Sequence, residues 1–156
     1  MNYSESAGQD SSSELRAKIK AFRENCRQAG LKVTPQRMAI YKALIQSKEH
    51  PSAEMLYREV RQEMPNISLD TVNRTLITFS ETGMAYTVEG TGDPRRFDGN
   101  LTDHQHFRCL KCRRVVDIIN KPFADISIPM ELRKFIILRK TLYFEGICDI
   151  CRQKSE

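Results

Sequence analysis

The chain has no run of about 18 apolar residues, so no segment suits a membrane-spanning helix, and it lacks an N-terminal basic-then-apolar segment of the kind that directs export. The expectation is a soluble, cytoplasmic protein. It has no His-Glu-x-x-His, and no Cys-x-x-Cys that opens a helix after a thioredoxin-like strand, which argues against a metal-dependent hydrolase and a thiol oxidoreductase; the chain is expected not to be an enzyme. Its formal net charge of +5 is too small and too uneven to argue for nucleic acid alone. With 156 residues, 40% of them apolar, it has material for one ordinary domain or two small ones.

Cysteine, by contrast, is concentrated. Four of the five cysteines form two Cys-x-x-Cys pairs, Cys109/Cys112 and Cys148/Cys151. In a reducing compartment such pairs bind metal more often than they form disulfides. Four thiolates in two short chelating loops suit one tetrahedral zinc. Just before the first pair stands His104-Gln105-His106. Imidazoles two apart on a strand point to one face, so they can hold a second metal that the zinc does not use.

Residues 1–13 are small and polar with no apolar period and read as a disordered tail. Residues 14–97 read as a winged helix-turn-helix. Leu15, Ile19, Phe22 and Cys26 form a helical stripe ending near Gly30, with Cys26 as a core residue. Thr34-Pro35 caps a second helix with Met38, Tyr41, Leu44 and Ile45 inward. Ser52 caps a third, with Leu56, Val60 and Met64 inward, and Pro65 closes it. Ser68 caps a fourth, with Leu69, Val72, Leu76 and Phe79 inward and Asp70, Thr71, Asn73, Arg74 and Thr78 outward, ending at Gly83. Residues 85–89 and 95–97 read as a hairpin around a turn at 90–94. In this architecture the last helix enters a DNA major groove and the hairpin lies along the backbone. Residues 14–44 carry eight cations, Arg37 among them, against Glu14 and Glu24, a balance that suits phosphate tracking as well as a solvated helix face.

Residues 98–156 have a different texture. Stretches 106–109, 115–119 and 135–147 read as strands, with a short helix within 123–134 that Pro129 disfavours. A three-stranded sheet with one helix leaves an edge that a second copy would cover, so a homodimer through this half is expected. The fold class is α+β: an N-terminal winged-helix domain plus a small C-terminal α/β dimerisation domain that binds metal.

In that order, Lys32-Val33-Thr34-Pro35-Gln36-Arg37, His50-Pro51-Ser52-Ala53-Glu54, Ser68-Leu69-Asp70-Thr71-Val72, Arg96-Phe97-Asp98, His104-Gln105-His106 and the cysteine pairs give a chain that resembles the ferric uptake regulator superfamily over nearly all its length after the tail. The resemblance implies a dimeric, metal-dependent bacterial transcription repressor acting on double-stranded operator DNA. It implies a regulatory Fe(II) or Mn(II) site at His50, Asp98, His104, His106 and Asp117, apart from a structural Zn(II) at Cys109, Cys112, Cys148 and Cys151. DNA contacts are expected from Arg37, Thr71, Asn73 and Arg74.

Aspartate at 117, where iron-sensing members commonly have glutamate, brings the chain nearest the peroxide-stress regulators. That subgroup implies iron-dependent oxidation of His50 or His104 by hydrogen peroxide. The alternative is a reversible iron, manganese or zinc sensor of the same family. Taken singly, His50 before a proline reads as a turn residue, and Asp98 or Asp117 as a loop or edge-strand charge. The chain departs from the family at Asn73, where tyrosine is usual, and at Arg113, where glycine is common and only a tilt of the turn is expected. At Arg139 and Lys140 many relatives carry histidine, so an extra histidine-rich metal site is expected to be absent.

Overall fold

The computed structural model of the chain describes residues 7–88, 94–102, 104–119, 127–137 and 140–154, the first six of these as backbone only. It divides into two compact units, Met1–Leu101 and Thr102–Glu156. Among the described residues no helix is long and apolar enough to cross a membrane.

The first unit runs α1 (Ala7–Gln28), α2 (Pro35–Gln46), α3 (Ala53–Glu63), α4 (Leu69–Glu81), β1 (Tyr86–Val88) and β2 (Arg96–Asp98). Each of α2, α3 and α4 starts where a hydroxyl accepts the amide three residues on: Thr34 from Arg37, Ser52 from Met55 and Ser68 from Thr71. Such a cap stabilises a helix by about 1 kcal/mol. α1 and α4 end in left-handed glycines, Gly30 at φ 68° and Gly83 at φ 72°. Beyond each glycine the chain turns back, with Leu31 N–H donating to the Cys26 carbonyl and Met84 N–H to that of Phe79, both at 2.8 Å.

Packing follows the apolar stripes. Phe22, Cys26, Tyr41, Leu44, Leu56, Val60, Val72, Leu76 and Phe79 are buried in one cluster, with Phe22 stacked on Tyr41 at 4.1 Å and edge-on to Phe79. Cys26 lies in this core, its Sγ 3.8 Å from the Met84 sulfur, and burial pushes its thiol pKa up.

Two expectations are corrected in this unit. The first helix begins at Ala7 instead of Glu14; extending a helix nucleated by the Phe22 stripe costs less than starting one. Residues 1–6 lie outside the described residues. Leu69 does not point inward but is 42% exposed, because it opens α4 a full turn before the core begins at Val72.

β1 and β2 pair antiparallel with Tyr86 opposite Asp98 and Val88 opposite Arg96; most of the turn between them, residues 89–93, lies outside the described residues. The segment entering α3 joins this ribbon through an isolated bridge between Ser52 and Arg96, and Phe97 N–H donates to the Pro51 carbonyl at 3.0 Å. Just after β2, Gly99 abuts α2: an added Cβ would stand 3.0 Å from Ile45 Cγ2 and 3.1 Å from its Cα. Since backbone cannot yield as a side-chain tip does, Gly99→Ala is expected to destabilise this unit by about 1–3 kcal/mol, read as a lower urea midpoint. An unchanged midpoint would show that β2 slides freely against α2.

In the second unit β3 (Gln105–Cys109) is central, antiparallel to β4 (Val115–Ile118) and parallel to β5 (Tyr143–Gly146), followed by α5 (Asp149–Gln153). The strand expected over 135–147 contracts to Tyr143–Gly146. Among the described residues this is the strand that pairs with β3, whereas Phe135 and Ile136 are 56% and 90% exposed and Arg139 lies outside the described residues. Within 123–134 the described residues hold one short helix, the 3-10 helix Met130–Leu132, which begins just after Pro129; residues 123–126 lie outside the described residues.

Candidate metal centres

The knuckle cysteines converge. Cys109 ends β3 and Cys112 follows in its turn, while Cys148 caps α5 and Cys151 lies within it. Parallel pairing of Cys109 with Gly146, and Leu110 N–H donating to the Gly146 carbonyl at 2.8 Å, bring the two knuckles together. The four sulfurs lie within 4.8 Å of one another, with Cys112 Sγ and Cys148 Sγ at 3.8 Å. Arms of about 2.3 Å give a tetrahedron with edges of about 3.8 Å, so the set fits zinc.

Backbone amides support the sulfurs. Cys112 N–H and Cys148 N–H both donate to Cys109 Sγ, at 3.5 and 3.3 Å, and Cys151 N–H to Cys148 Sγ at 3.4 Å. The amides of Cys112 and Cys148 hold the Cys109 thiol pKa down at about 6, while burial and the neighbouring sulfurs push Cys151 up to about 12. A divalent cation resolves that mismatch by ionising all four thiols.

Arg113 sits in the left-handed region at φ 64°, a larger departure than the tilt expected for a residue where glycine is common. The knuckle reverses direction within two residues of Cys112, and that reversal demands positive φ. Arg113→Gly is accordingly expected to raise stability by up to about 1 kcal/mol, seen as a higher Tm of the zinc-loaded protein. A fall in Tm would mean that the arginine side chain contributes more than the backbone strain costs.

The second donor set falls in two parts, and it uses all three histidines of the chain. In the second unit, β3–β4 register places Asp117 directly opposite His106. His104 and His106 turn their Nε2 atoms to within 3.0 Å of each other, and Asp117 Oδ1 lies 3.4 and 3.5 Å from them. Donors held by one ion at arms of about 2.1 Å stand about 3.0 to 3.4 Å apart, so this trio also has metal-site spacing. His104 Nδ1 is 2.7 Å from the Thr102 carbonyl, a partner that fixes Nδ1–H and turns Nε2 toward a metal. Tyr143 stacks on His106 at 5.6 Å. Sequence reasoning missed both supports. The Tyr143 signal lay only in the β3–β5 register, which pairs it with His106.

In the first unit His50 and Asp98 are both buried, with Nε2 and Oδ2 3.8 Å apart. The ribbon places them: Pro51 is bonded to Phe97, the Arg96 guanidinium donates to the His50 carbonyl at 3.3 Å, and Asn100 N–H occupies Asp98 Oδ1 at 2.7 Å. His50 is held at φ 48°, a backbone conformation few residues other than glycine adopt. Such strain persists where the surroundings over-determine it, and it clusters at functional sites.

The four expected DNA residues separate. Asn73 and Arg74 are exposed on α4, with Arg74 3.7 Å from Asp70 one turn earlier. Thr71 is part of the cap, its hydroxyl 2.8 Å from Ser68 Oγ. Arg37 is half-buried and donates to the Lys32 carbonyl at 2.7 Å, tying the α1–α2 loop.

A winged-helix unit followed by a unit with a four-cysteine cage and a histidine–carboxylate cluster defines a metal-responsive transcription regulator. The pattern of the ferric uptake regulator family matches residues 28–143, and the chain belongs to that family. It is 32% identical over 129 residues to the peroxide-responsive repressor PerR of Staphylococcus aureus, covering 82% of this chain and 87% of that one. The ferric uptake regulator of Helicobacter pylori superimposes with a TM-score of 0.72 at 20% identity, over 88% of this chain and 93% of that one. The Campylobacter jejuni peroxide stress regulator does so with a TM-score of 0.64 at 26% identity, over 85% and 98%. Proteins named as iron and as peroxide regulators thus share this architecture.

Proposed function

We propose that this protein is a cytoplasmic, homodimeric repressor that senses hydrogen peroxide through a regulatory metal. Cys109, Cys112, Cys148 and Cys151 hold a structural zinc. The His50–Asp98 pair and the His104–His106–Asp117 trio serve one regulatory ion, Fe(II) or Mn(II), a mixed nitrogen and oxygen set suited to such ions and unlike the sulfur cage. Exposed apolar side chains of the second unit, Ile119, Met130, Phe135 and Ile136 among them, supply a surface for the dimer.

The carrying observation is the aspartate opposite His106, because its short carboxylate is the feature by which the chain resembles peroxide regulators within the family. Support comes from the 32% identity to the Staphylococcus aureus repressor. Iron bound in this set supplies the activation of hydrogen peroxide. The chain's own part is to hold His50 and His104 in fixed positions, His50 by its ribbon and His104 by the Thr102 carbonyl. The net change is one oxygen atom entering an imidazole C–H bond, the other oxygen of the peroxide leaving as water. A ligand altered in this way no longer supports metal-linked DNA binding. The sensor is consumed, so this is not turnover.

Ion and operator are linked reciprocally if both favour one conformation. Duplex binding by iron-loaded, manganese-loaded and chelator-treated protein tests this. The expected result is binding with either metal, none with chelator, and release by peroxide in the iron form alone. Peroxide-insensitive binding with both metals would make the protein a reversible metal sensor. Binding that ignores metal would remove the regulatory site.

A further inference from the structure

The two strands that flank β3 serve His106 differently. β4 brings it a donor, since Asp117 is its register partner on that side. β5 brings it a ring: Tyr143, the first residue of that strand, is its partner on the other. Paired residues of neighbouring strands point to one face about 4.8 Å apart, and here the phenol stacks on the imidazole with centroids 5.6 Å apart and planes inclined by 20°. The His104 ring meets His106 edge-on, at 4.6 Å and 70°. The His106 side chain is wholly buried.

Rotation of an imidazole about its Cβ–Cγ bond has a broad, roughly two-fold well, so burial alone does not choose the plane of the ring. A ring lying against its face does, because rotation would swing the imidazole out of parallel and forfeit the contact. In the plane so chosen, Nε2 stands 3.0 Å from His104 Nε2 and 3.5 Å from Asp117 Oδ1. His104 is turned to the same point by other means, the Thr102 carbonyl at its Nδ1. A ligand already aimed at the ion loses less freedom when the ion binds, so the group that aims it raises affinity. The stacked face is also one from which an oxidant cannot approach the ring carbons.

Resting on the regulatory-metal and peroxide readings above, we propose that Tyr143 is a positioning residue of the regulatory site: its ring holds His106 in the orientation that completes the trio and keeps peroxide chemistry off that histidine. Oxygen insertion into an imidazole C–H bond, with water leaving, is thereby directed to the other ligand histidines. The part of Tyr143 that acts is the ring, not the hydroxyl.

The test uses the full-length protein with its zinc retained, as wild type, Tyr143→Phe and Tyr143→Leu. Manganese affinity, measured by competition with a fluorescent chelator, is expected to fall about two- to tenfold in the leucine variant and to stay within about twofold of wild type in the phenylalanine variant, which keeps the ring. In protein free of regulatory metal, the ring current of residue 143 should shift the His106 ring protons upfield in wild type and Tyr143→Phe but not in Tyr143→Leu, a signature that general loosening of the strand does not reproduce. Unchanged zinc content shows that β5 still delivers Cys148 and Cys151 to the cage. After peroxide treatment of the iron-loaded forms, fragmentation of the tryptic peptide 97–108, which carries both His104 and His106, should place no oxygen on His106 in wild type and the phenylalanine variant and one oxygen there in the leucine variant. Wild-type affinity in Tyr143→Leu, an equal loss in Tyr143→Phe, or oxygen on His106 of the wild type would overturn the proposal. A wild type that takes up no manganese would instead remove the regulatory-metal reading. One that binds metal but gains no oxygen on any histidine would remove the peroxide reading, and affinity and ring current would then decide the positioning role.

Discussion

Cys112→Ser is expected to leave the second unit unable to hold its fold. Among the described residues its buried apolar cluster consists of Cys109, Cys148 and Cys151 with Phe107 against them, so the side chains that form this cluster are those proposed to bind zinc. A unit of this size with so small a core does not bury enough apolar surface to offset its conformational entropy, and small domains of this kind depend on a metal or a disulfide. A structural zinc contributes folding free energy on the order of 10 kcal/mol. Serine is a far poorer zinc ligand than thiolate, and loss of one of four donors should release the ion. The expected outcome is loss of zinc by mass analysis, aggregation on size exclusion and loss of DNA binding. Cys26→Ala is the matched comparison: it removes a buried thiol from the other unit and should keep zinc, costing stability alone. A Cys112→Ser protein that stayed dimeric with wild-type Tm would show that the cage is not structural.

Asp117→Glu should separate two properties that travel together in wild type. The aspartate stands opposite His106, with Oδ1 3.4 and 3.5 Å from the two imidazole Nε2 atoms. One added methylene displaces the carboxylate by about 1.5 Å, enough to alter how its oxygens approach an ion without removing them. Metal-dependent duplex binding is therefore expected to persist within a few-fold, while the peroxide dose that releases DNA from the iron-loaded protein rises more than tenfold or ceases to act. The cysteine cage uses none of these atoms, so zinc content should not change. A variant as peroxide-sensitive as wild type would detach Asp117 from the sensing chemistry.

The clustering of the four cysteines was legible because each Cys-x-x-Cys closes its own chelate loop and the two pairs together suit one ion. Helix starts were legible for a similar reason: Thr34, Ser52 and Ser68 cap within three residues. What the residues alone could not supply was anything set by pairing register. Asp117 looks like an edge-strand charge until β3 and β4 align it with His106, and only the family resemblance grouped it with the histidines. His50 looks like a turn residue until Ser52 bridges Arg96 and brings it beside Asp98. The apolar stretch 135–147 has strand composition throughout, yet among the described residues the paired strand is Tyr143–Gly146, since composition does not set where pairing begins. Leu69 failed for a related reason: the helical period continued one position beyond the core.

Peptide mass spectrometry tests most directly whether peroxide is sensed by oxidation of a ligand histidine. Iron-loaded and manganese-loaded protein would each be treated with hydrogen peroxide and digested. One added oxygen is expected on the peptide carrying His50 or His104 in the iron form, in step with DNA release, and none in the manganese form. Release without histidine oxidation, or equal oxidation with both metals, would contradict it.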